Sequence, residues 1–201
     1  FQYLTGLPEF PNPTTLRRFL MHAPEPWAQQ LGALTDRLTR GLLQQPHPRS
    51  RVILNLDSTN VLVYGSQEQT VRAHNPRGRG VPSYEPLLCH EANSGLFWAG
   101  HLRPGGNPGA EEVVPFLERC RAILPASIRE IRVRGDAGFY SARTLTWLEQ
   151  HHAQYAIVAR LTAPLKRAIT SVRYRPLSPH RAVAETAYAG YAWAEPRRII
   201  A

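Results

Sequence analysis

The sequence predicts an α/β protein in which helices flank a mixed β-sheet, and three observations lead to this fold class. Residues 51–65 are rich in aliphatic and β-branched side chains and predict a strand, or two in tandem. Residues 84–105 predict a hairpin that turns at Asn93-Ser94-Gly95, which requires antiparallel pairing. Strand and helix patterns then alternate from residue 109 to residue 161, an order typical of parallel pairing.

The first 50 residues predict an N-terminal helical region. Thr14-Thr15 follow two prolines and precede apolar residues at helical spacing, so we expect a helix with a hydroxyl cap at this point. A second, amphipathic helix is expected over residues 26–43. Its apolar stripe consists of Trp27, Leu31, Leu34, Leu38 and Leu42. Residues 44–50 have the composition of a linker.

The α/β region continues as helix, strand, helix and strand. Residues 109–124 have acidic residues in the first turn and arginines in the last, which suits the helix dipole. A strand ending near Asp136, a helix over 141–152 capped by Ser141 and a further strand follow. Residues 162–201 do not continue this alternation and predict short strands. We therefore divide the chain into residues 1–50, a core over 51–160 and a β-rich segment over 161–201.

Composition narrows the class of function. The chain has 201 residues and no apolar run long enough to span a membrane, and Cys89 and Cys120 lie in apolar surroundings typical of reduced, buried thiols. It opens on Phe1 without a signal peptide, so we expect a cytoplasmic protein or a fragment of one.

Residues 151–201 contain eight of the basic residues and two of the acidic ones, and the net charge of the chain is +9. This arginine excess favours a polyanionic partner.

Two aspartates stand at equivalent points of the predicted sheet. Asp57 interrupts the apolar run "VILNLDSTNVLV", and Asp136 closes the strand "IRVRG". A carboxylate is costly to bury in such a strand unless it is paired or binds a cation, and ligands of α/β sheets gather where strands end. Carboxylate oxygens favour hard ions such as Mg²⁺ or Mn²⁺, and two such ions form the usual apparatus for phosphodiester cleavage.

Each aspartate also has a structural alternative. Asp136 could cap a turn or a helix, and Asp57 could face solvent on an edge strand. The string "GDAG" offers no nucleophile after Asp136, because the next residue is Ala137, so a serine-hydrolase interpretation fails. Gly135 and Gly138 are expected to let backbone and phosphate approach each other closely.

Five short motifs occur in an order that resembles a known family. "ILNLDSTN", "YGSQEQ", "SYEPLL", "LRPGGNPGAEE" and "VRGDAGFYS" are similar to the catalytic core of DDE transposases of bacterial insertion sequences, in particular the IS4-like superfamily. That resemblance implies a ribonuclease H-like fold with a β-rich insertion beginning near residue 161. It also implies metal-dependent DNA cleavage and strand transfer, with Asp57 and Asp136 as catalytic metal ligands for two Mg²⁺ or Mn²⁺ ions.

The third catalytic carboxylate of the family that this chain resembles is a glutamate on a helix after the insertion. Glu185 and Glu195 lack this helical setting, so we expect the third carboxylate to lie beyond Ala201 and the chain to be incomplete as an enzyme. A metal-dependent nuclease of the same fold, or a non-catalytic DNA-binding remnant of a transposase, are the alternatives. The resemblance also implies a bacterial, nucleoid-associated location.

DNA, as transposon ends and target, is the partner that the resemblance implies, and a homodimer in the active complex is compatible with it. Basic residues of the loop 65–83 and of the C-terminal quarter are expected to contact the DNA backbone. The loop contributes Arg72, Arg77 and Arg79. The C-terminal quarter contributes Arg160, Lys166, Arg167, Arg173, Arg175, Arg197 and Arg198.

Overall fold

A computed structural model describes residues 9, 11–24, 26–45, 49–72, 80–106, 108–190 and 193–201. Two helices come first, α1 (Pro13–Met21) and α2 (Pro26–Leu43), and the second has the bounds that its sequence predicts. The expected hydroxyl cap of α1 is wrong. Asn12 is the cap, and its side chain accepts a hydrogen bond from the Thr14 N–H at 2.9 Å, because Pro13 occupies the first helical position.

A mixed five-stranded sheet forms the centre of the chain, as the sequence predicts. Its strands are β1 (Arg51–Ser58), β4 (Leu87–Glu91), β5 (Phe97–His101), β6 (Glu130–Gly135) and β7 (Gln154–Ile157). They lie in the order β5-β4-β1-β6-β7. Two short strands, β2 (Val61–Leu62) and β3 (Ser83–Tyr84), form a separate pair, so the run 51–65 is indeed two strands in tandem.

Strand directions follow from the connections. β1 pairs with β4 and β4 with β5 in antiparallel fashion, and Gly95 has the positive φ of 70° that the tight β4–β5 turn requires. β1 pairs with β6 and β6 with β7 in parallel fashion, and the helix Ala142–Gln150 makes the crossover from β6 to β7. β1 therefore occupies the central position, and its carboxyl end lies beside that of β6.

One face of the sheet carries the hydrophobic core. Helices α3 (Ala110–Ala122) and α4 (Ala142–Gln150) pack on it, and α4 begins at the predicted cap Ser141. Trp98, fully buried, donates a hydrogen bond from Nε1 to the Cys120 carbonyl at 2.9 Å. Cys89 and Cys120 are both free thiols and both buried, as expected.

The C-terminal segment contains a helix that the sequence analysis missed. α5 (Ala163–Thr170) begins at Thr162, whose hydroxyl accepts a hydrogen bond from the Leu165 N–H at 3.4 Å. Two antiparallel strand pairs follow, in agreement with the short strands expected there. They are β8 (Arg175–Ser178) with β9 (Arg181–Val183), and β10 (Glu185–Tyr188) with β11 (Arg197–Ile200). Within the described ranges, no helix is long and apolar enough to cross a bilayer.

Candidate functional site

Asp57 lies near the carboxyl end of the central strand. Side chains of β1 alternate, with Val52, Leu54 and Leu56 buried in the core and Asp57 exposed on the opposite face. Its Oδ1 accepts a hydrogen bond from the Ser58 N–H at 2.8 Å. The alternative of an edge strand is wrong, because β1 lies between β4 and β6.

Asp136 directly follows β6 and is also exposed. It caps a single 3₁₀ turn (Ala137–Phe139), and its Oδ1 accepts a hydrogen bond from the Gly138 N–H at 2.9 Å. The capping alternative is therefore correct, but a cap needs only one of the two carboxylate oxygens. The second oxygen, like that of Asp57, has no hydrogen-bond partner in the parts of the chain that the structure describes.

The two glycines around Asp136 have local packing reasons. A Cβ on Gly135 would lie 3.1 Å from both Ile157 Cδ1 and Phe139 Cδ2, so a larger residue would push β7 and the turn apart. A Cβ on Gly138 would lie 3.0 Å from Asp136 Oδ1 and would crowd the carboxylate. Glycine at both positions therefore keeps the strand end compact and the Asp136 carboxylate in its orientation.

The strand register predicts that the two aspartates lie close together. The parallel pairing of β1 and β6 ends at Asn55 opposite Arg134, and the same offset continued for two residues sets Asp57 opposite Asp136. Asn55 and Arg134 share one face of the sheet, since Arg134 Nε donates to Asn55 Oδ1 at 2.9 Å. Alternation along extended backbone then predicts that both carboxylates face that same side, at the ends of neighbouring strands about 5 Å apart.

The electrostatic setting suits a cation. Neither aspartate forms an ion pair with any lysine, arginine or histidine among the described residues. Two adjacent, exposed carboxylates repel each other, and a hard divalent ion removes that repulsion. The donor set therefore fits Mg²⁺ or Mn²⁺. Across the described ranges, no three acidic, histidine or cysteine side chains come together as a metal cluster.

Glu85 is a neighbour of this site that the sequence analysis did not single out, although it lies in the motif "SYEPLL". Its Oε1 accepts a hydrogen bond from Ser58 Oγ at 3.2 Å, and its Oε2 accepts one from the Gly106 N–H at 3.1 Å. It thus ties the end of β1 to the loop before α3. Only the long-range pairing of residues 58 and 85 reveals this role, and no local pattern could have predicted it.

The basic residues expected to contact DNA fall into three groups. Arg77 and Arg79 lie outside the described residues, and Arg72 is exposed and donates a hydrogen bond to the Gly80 carbonyl. Arg160 lies beside the site, because its Nε donates to the carbonyl of Ala137 at 3.1 Å. The third group, on and after α5, is exposed and forms no ion pair with the described residues. Its members are Lys166, Arg167, Arg173 and Arg175.

Arg197 and Arg198 differ from the other basic residues predicted to contact DNA, because each has an acidic partner. Arg197 Nε lies 2.7 Å from Glu149 Oε1, and this hydrogen bond lowers the pKa of Glu149 below its ordinary value. Arg198 Nε lies 2.5 Å from Glu185 Oε1, and Arg198 likewise lowers the pKa of Glu185. Arg197 thereby links β11 to α4, and each of the two arginines has its charge balanced by a neighbouring carboxylate.

The two C-terminal glutamates have the non-helical settings expected of them. Glu185 lies on β10 and Glu195 is exposed in a bend before β11. An apolar groove of about 440 Å³ also lies in this region, between β7, α5 and β11. It is lined mainly by aliphatic residues and includes neither Asp57 nor Asp136, so it belongs to a different part of the surface.

Comparison with known proteins identifies the family. The profile described as "Transposase DDE domain group 1" matches residues 11–201, nearly the whole chain. The chain therefore belongs to this family of DDE transposases. No curated protein matched the chain.

Solved structures with detectable similarity are also transposases. A piggyBac transposase synaptic complex with hairpin DNA aligns with a TM-score of 0.44 and 14% identity over 62% of this chain and 26% of that one. A Mos1 transposase paired-end complex with the left transposon end aligns with a TM-score of 0.39 and 9% sequence identity. This alignment covers 83% of this chain and 60% of that one. A Mos1 mariner paired-end complex with Mn aligns with a TM-score of 0.36 and 12% sequence identity. This alignment covers 75% of this chain and 50% of that one. The chain thus spans between a quarter and two thirds of these proteins.

Proposed function

We propose that the chain is the catalytic core of a DNA transposase of a bacterial insertion sequence, of the IS4-like type, that acts on DNA in the bacterial nucleoid as a homodimer. Asp57 and Asp136 are the proposed metal ligands. The observation that supports the proposal is the β1–β6 register, which ends at Asn55 opposite Arg134 and, continued for two residues, would set the two carboxylates opposite each other. The domain division at residues 50 and 160 is part of the same proposal.

The chain's own residues prepare the site for a metal. The N–H groups of Ser58 and Gly138 each hold one oxygen of an aspartate, and each second oxygen then points away from that bond. The chemistry that divalent ions would supply if Asp57 and Asp136 held them is activation of water or a 3′-hydroxyl and stabilisation of the leaving oxygen. Glu85 holds Ser58 Oγ and thereby fixes the end of β1. Arg160 holds the Ala137 carbonyl and thereby fixes the turn that follows Asp136.

Free basic residues supply the DNA contact. Arg160 and the exposed residues Lys166, Arg167, Arg173 and Arg175 follow β7 in the chain, and Arg160 links them to the turn at Asp136. Arginine and lysine bind phosphate through charge-assisted hydrogen bonds without reading the base sequence. A backbone bound along this surface would lead to the two aspartates.

Substitution of each aspartate by asparagine tests the proposal. We expect Asp57→Asn and Asp136→Asn to weaken Mn²⁺ binding, measured by titration calorimetry, and to abolish Mn²⁺-dependent nicking by the full-length transposase. DNA affinity should stay unchanged, because phosphate contacts come from other residues. The matched control is Asp36→Asn, since Asp36 lies on α2 and pairs with Arg119 at 3.5 Å. Mn²⁺ binding and nicking that survive both site changes would contradict the proposal.

The same assays separate the alternatives. Nicking without strand transfer would indicate a metal-dependent nuclease of the same fold. DNA binding without Mn²⁺ binding would indicate a non-catalytic remnant, which would then act through the unpaired basic surface of the C-terminal quarter.

A further inference from the structure

Helix α2 carries a stripe of apolar side chains that the rest of the described chain does not cover. Thr39 and Leu43 are buried against the domain, and Asp36 on the same side pairs with Arg119. The stripe lies roughly a third of a turn away, at 100° per residue. Its members and exposed fractions are Trp27 38%, Leu31 61%, Leu34 43%, Leu38 59% and Leu42 52%.

Helix α1 extends this surface. Phe19 is 55% exposed, and its ring centroid lies 5.3 Å from that of Trp27. No described residue of α1 is buried, and a helix of nine residues is marginal in water without a packed face. With about 200 Å² for a large apolar side chain, Phe19 and the stripe expose on the order of 600 Å². Contiguous apolar patches of this size mark interaction sites on soluble domains.

The stripe is complementary to itself. If α2 packs antiparallel to the α2 of a second copy about a two-fold axis near Leu34, Trp27 falls opposite Leu42 and Leu31 falls opposite Leu38. The same register sets Arg37 opposite Gly32, so no like charges face each other along the helix. Self-complementarity of this kind is what an isologous interface requires. A pair would bury about 1,200 Å², which reaches the range of specific interfaces.

We propose that α1 and α2 form the interface between two copies of this chain, with the α2 helices antiparallel. The interface supplies the homodimer of the proposed function, but it is inferred from the apolar stripe alone and needs neither metal nor DNA. Each copy carries a net charge of +9, so long-range repulsion opposes pairing and salt relieves it. Dimerisation therefore becomes stronger as salt rises, whereas phosphate binding becomes weaker.

Analytical ultracentrifugation over a dilution series tests the association. We expect the wild-type chain to be a dimer that dissociates on dilution, and Leu38→Glu to be a monomer with an unchanged far-ultraviolet circular dichroism spectrum. Ala33→Glu is the matched control, because Ala33 is exposed on α2 but off the stripe, and this variant should remain a dimer. A monomeric wild type would mean that another segment or protein covers the stripe, and it would overturn the proposal. A Leu38→Glu dimer would overturn it as well.

Disulfide trapping tests the register. The double variant Leu31→Cys with Leu38→Cys should form intermolecular disulfides on mild oxidation, because position 31 of one copy lies opposite position 38 of the other in the antiparallel pair. Leu31→Cys alone should not, since seven residues of helix, about 10 Å, separate the two copies of position 31. Efficient cross-linking of the single variant would indicate parallel helices and contradict the antiparallel pairing. Metal binding at Asp57 and Asp136 is measured separately, so either proposal can fail alone.

Discussion

The salt dependence of DNA binding offers a quantitative test of the basic surface. Arg197 and Arg198 are ion-paired, whereas five other basic residues have no acidic partner among the described residues. These five are Arg160, Lys166, Arg167, Arg173 and Arg175. Each phosphate contact adds about −0.9 to the slope of log K against log salt. Five contacts predict a slope of about −4.5, so a rise from about 50 to about 200 mM salt weakens binding about 500-fold.

The perturbation is Lys166→Ala combined with Arg167→Ala, both on the exposed face of α5. Loss of two contacts should reduce the slope to about −2.7, and the same rise in salt should then weaken binding only about 40-fold. Fluorescence anisotropy with a labelled duplex, measured over a salt series, gives the slope directly.

The matched control is Arg198→Ala, which removes the same charge type from a side chain that already pairs with Glu185 at 2.5 Å. We expect its slope to equal that of the wild type. A wild-type slope near zero would refute the assignment of this surface to DNA. An equal loss of slope in the control would refute the distinction between free and paired cations.

Two further predictions concern stability. Glu91 is fully buried, and burial alone would raise its pKa. Hydrogen bonds from Ser94 and Asn93 outweigh this effect, together with the Arg49 guanidinium at 3.1 Å, and they lower the pKa of Glu91 below its ordinary value. The ionised form therefore stabilises the fold above about pH 4.5, and this contribution is lost as the pH falls through the lowered pKa. Glu91→Gln should cost about 1–3 kcal/mol at neutral pH and flatten the acid limb of urea-unfolding stability, and an unchanged limb would contradict the role of this carboxylate. Trp98→Phe should cost about 1–3 kcal/mol by loss of the hydrogen bond to Cys120, whereas Trp27→Phe, made in the monomeric Leu38→Glu background in which this ring stays exposed, should change urea-unfolding stability by less than about 0.5 kcal/mol. Equal costs for the two tryptophan changes would contradict the burial assignment.

Local chemistry made much of the fold predictable from the sequence. Helix α2, the turn at Asn93-Ser94-Gly95 and the Ser141 cap each depend on residues close together in the chain, and the structure has all three. The cap of α1 was predicted wrongly because Thr14 and Thr15 are also common cap residues, and proline at the first helical position shifts the start of the helix upstream to Asn12.

Helix α5 was missed because it is only eight residues long and its apolar face is mostly a single buried leucine, Leu165. The signal was present in Thr162 followed by Pro164, a cap and an early proline. The pairing of Arg197 with Glu149 could not be predicted, because 48 residues separate them and no local pattern links the two. The count of charges in the sequence therefore does not show which arginines of the C-terminal quarter are paired.

The candidate site shows the same division. The positions of Asp57 and Asp136 at strand ends follow from local patterns, whereas the exposure of both side chains, contrary to the burial expected from the apolar run around Asp57, is decided by the fold. Their alignment depends on the β1–β6 register, which is a property of the sheet. Glu85 depends on a contact with Ser58 that only the folded chain makes.

The most direct test of the account is a crystal structure of the protein grown with Mn²⁺, with the ion located by anomalous scattering. The account predicts an anomalous peak within coordination distance of one oxygen of Asp57 and one oxygen of Asp136. The absence of such a peak at saturating Mn²⁺, together with carboxylate oxygens more than about 10 Å apart, would contradict it, because a metal pair cannot bridge that gap.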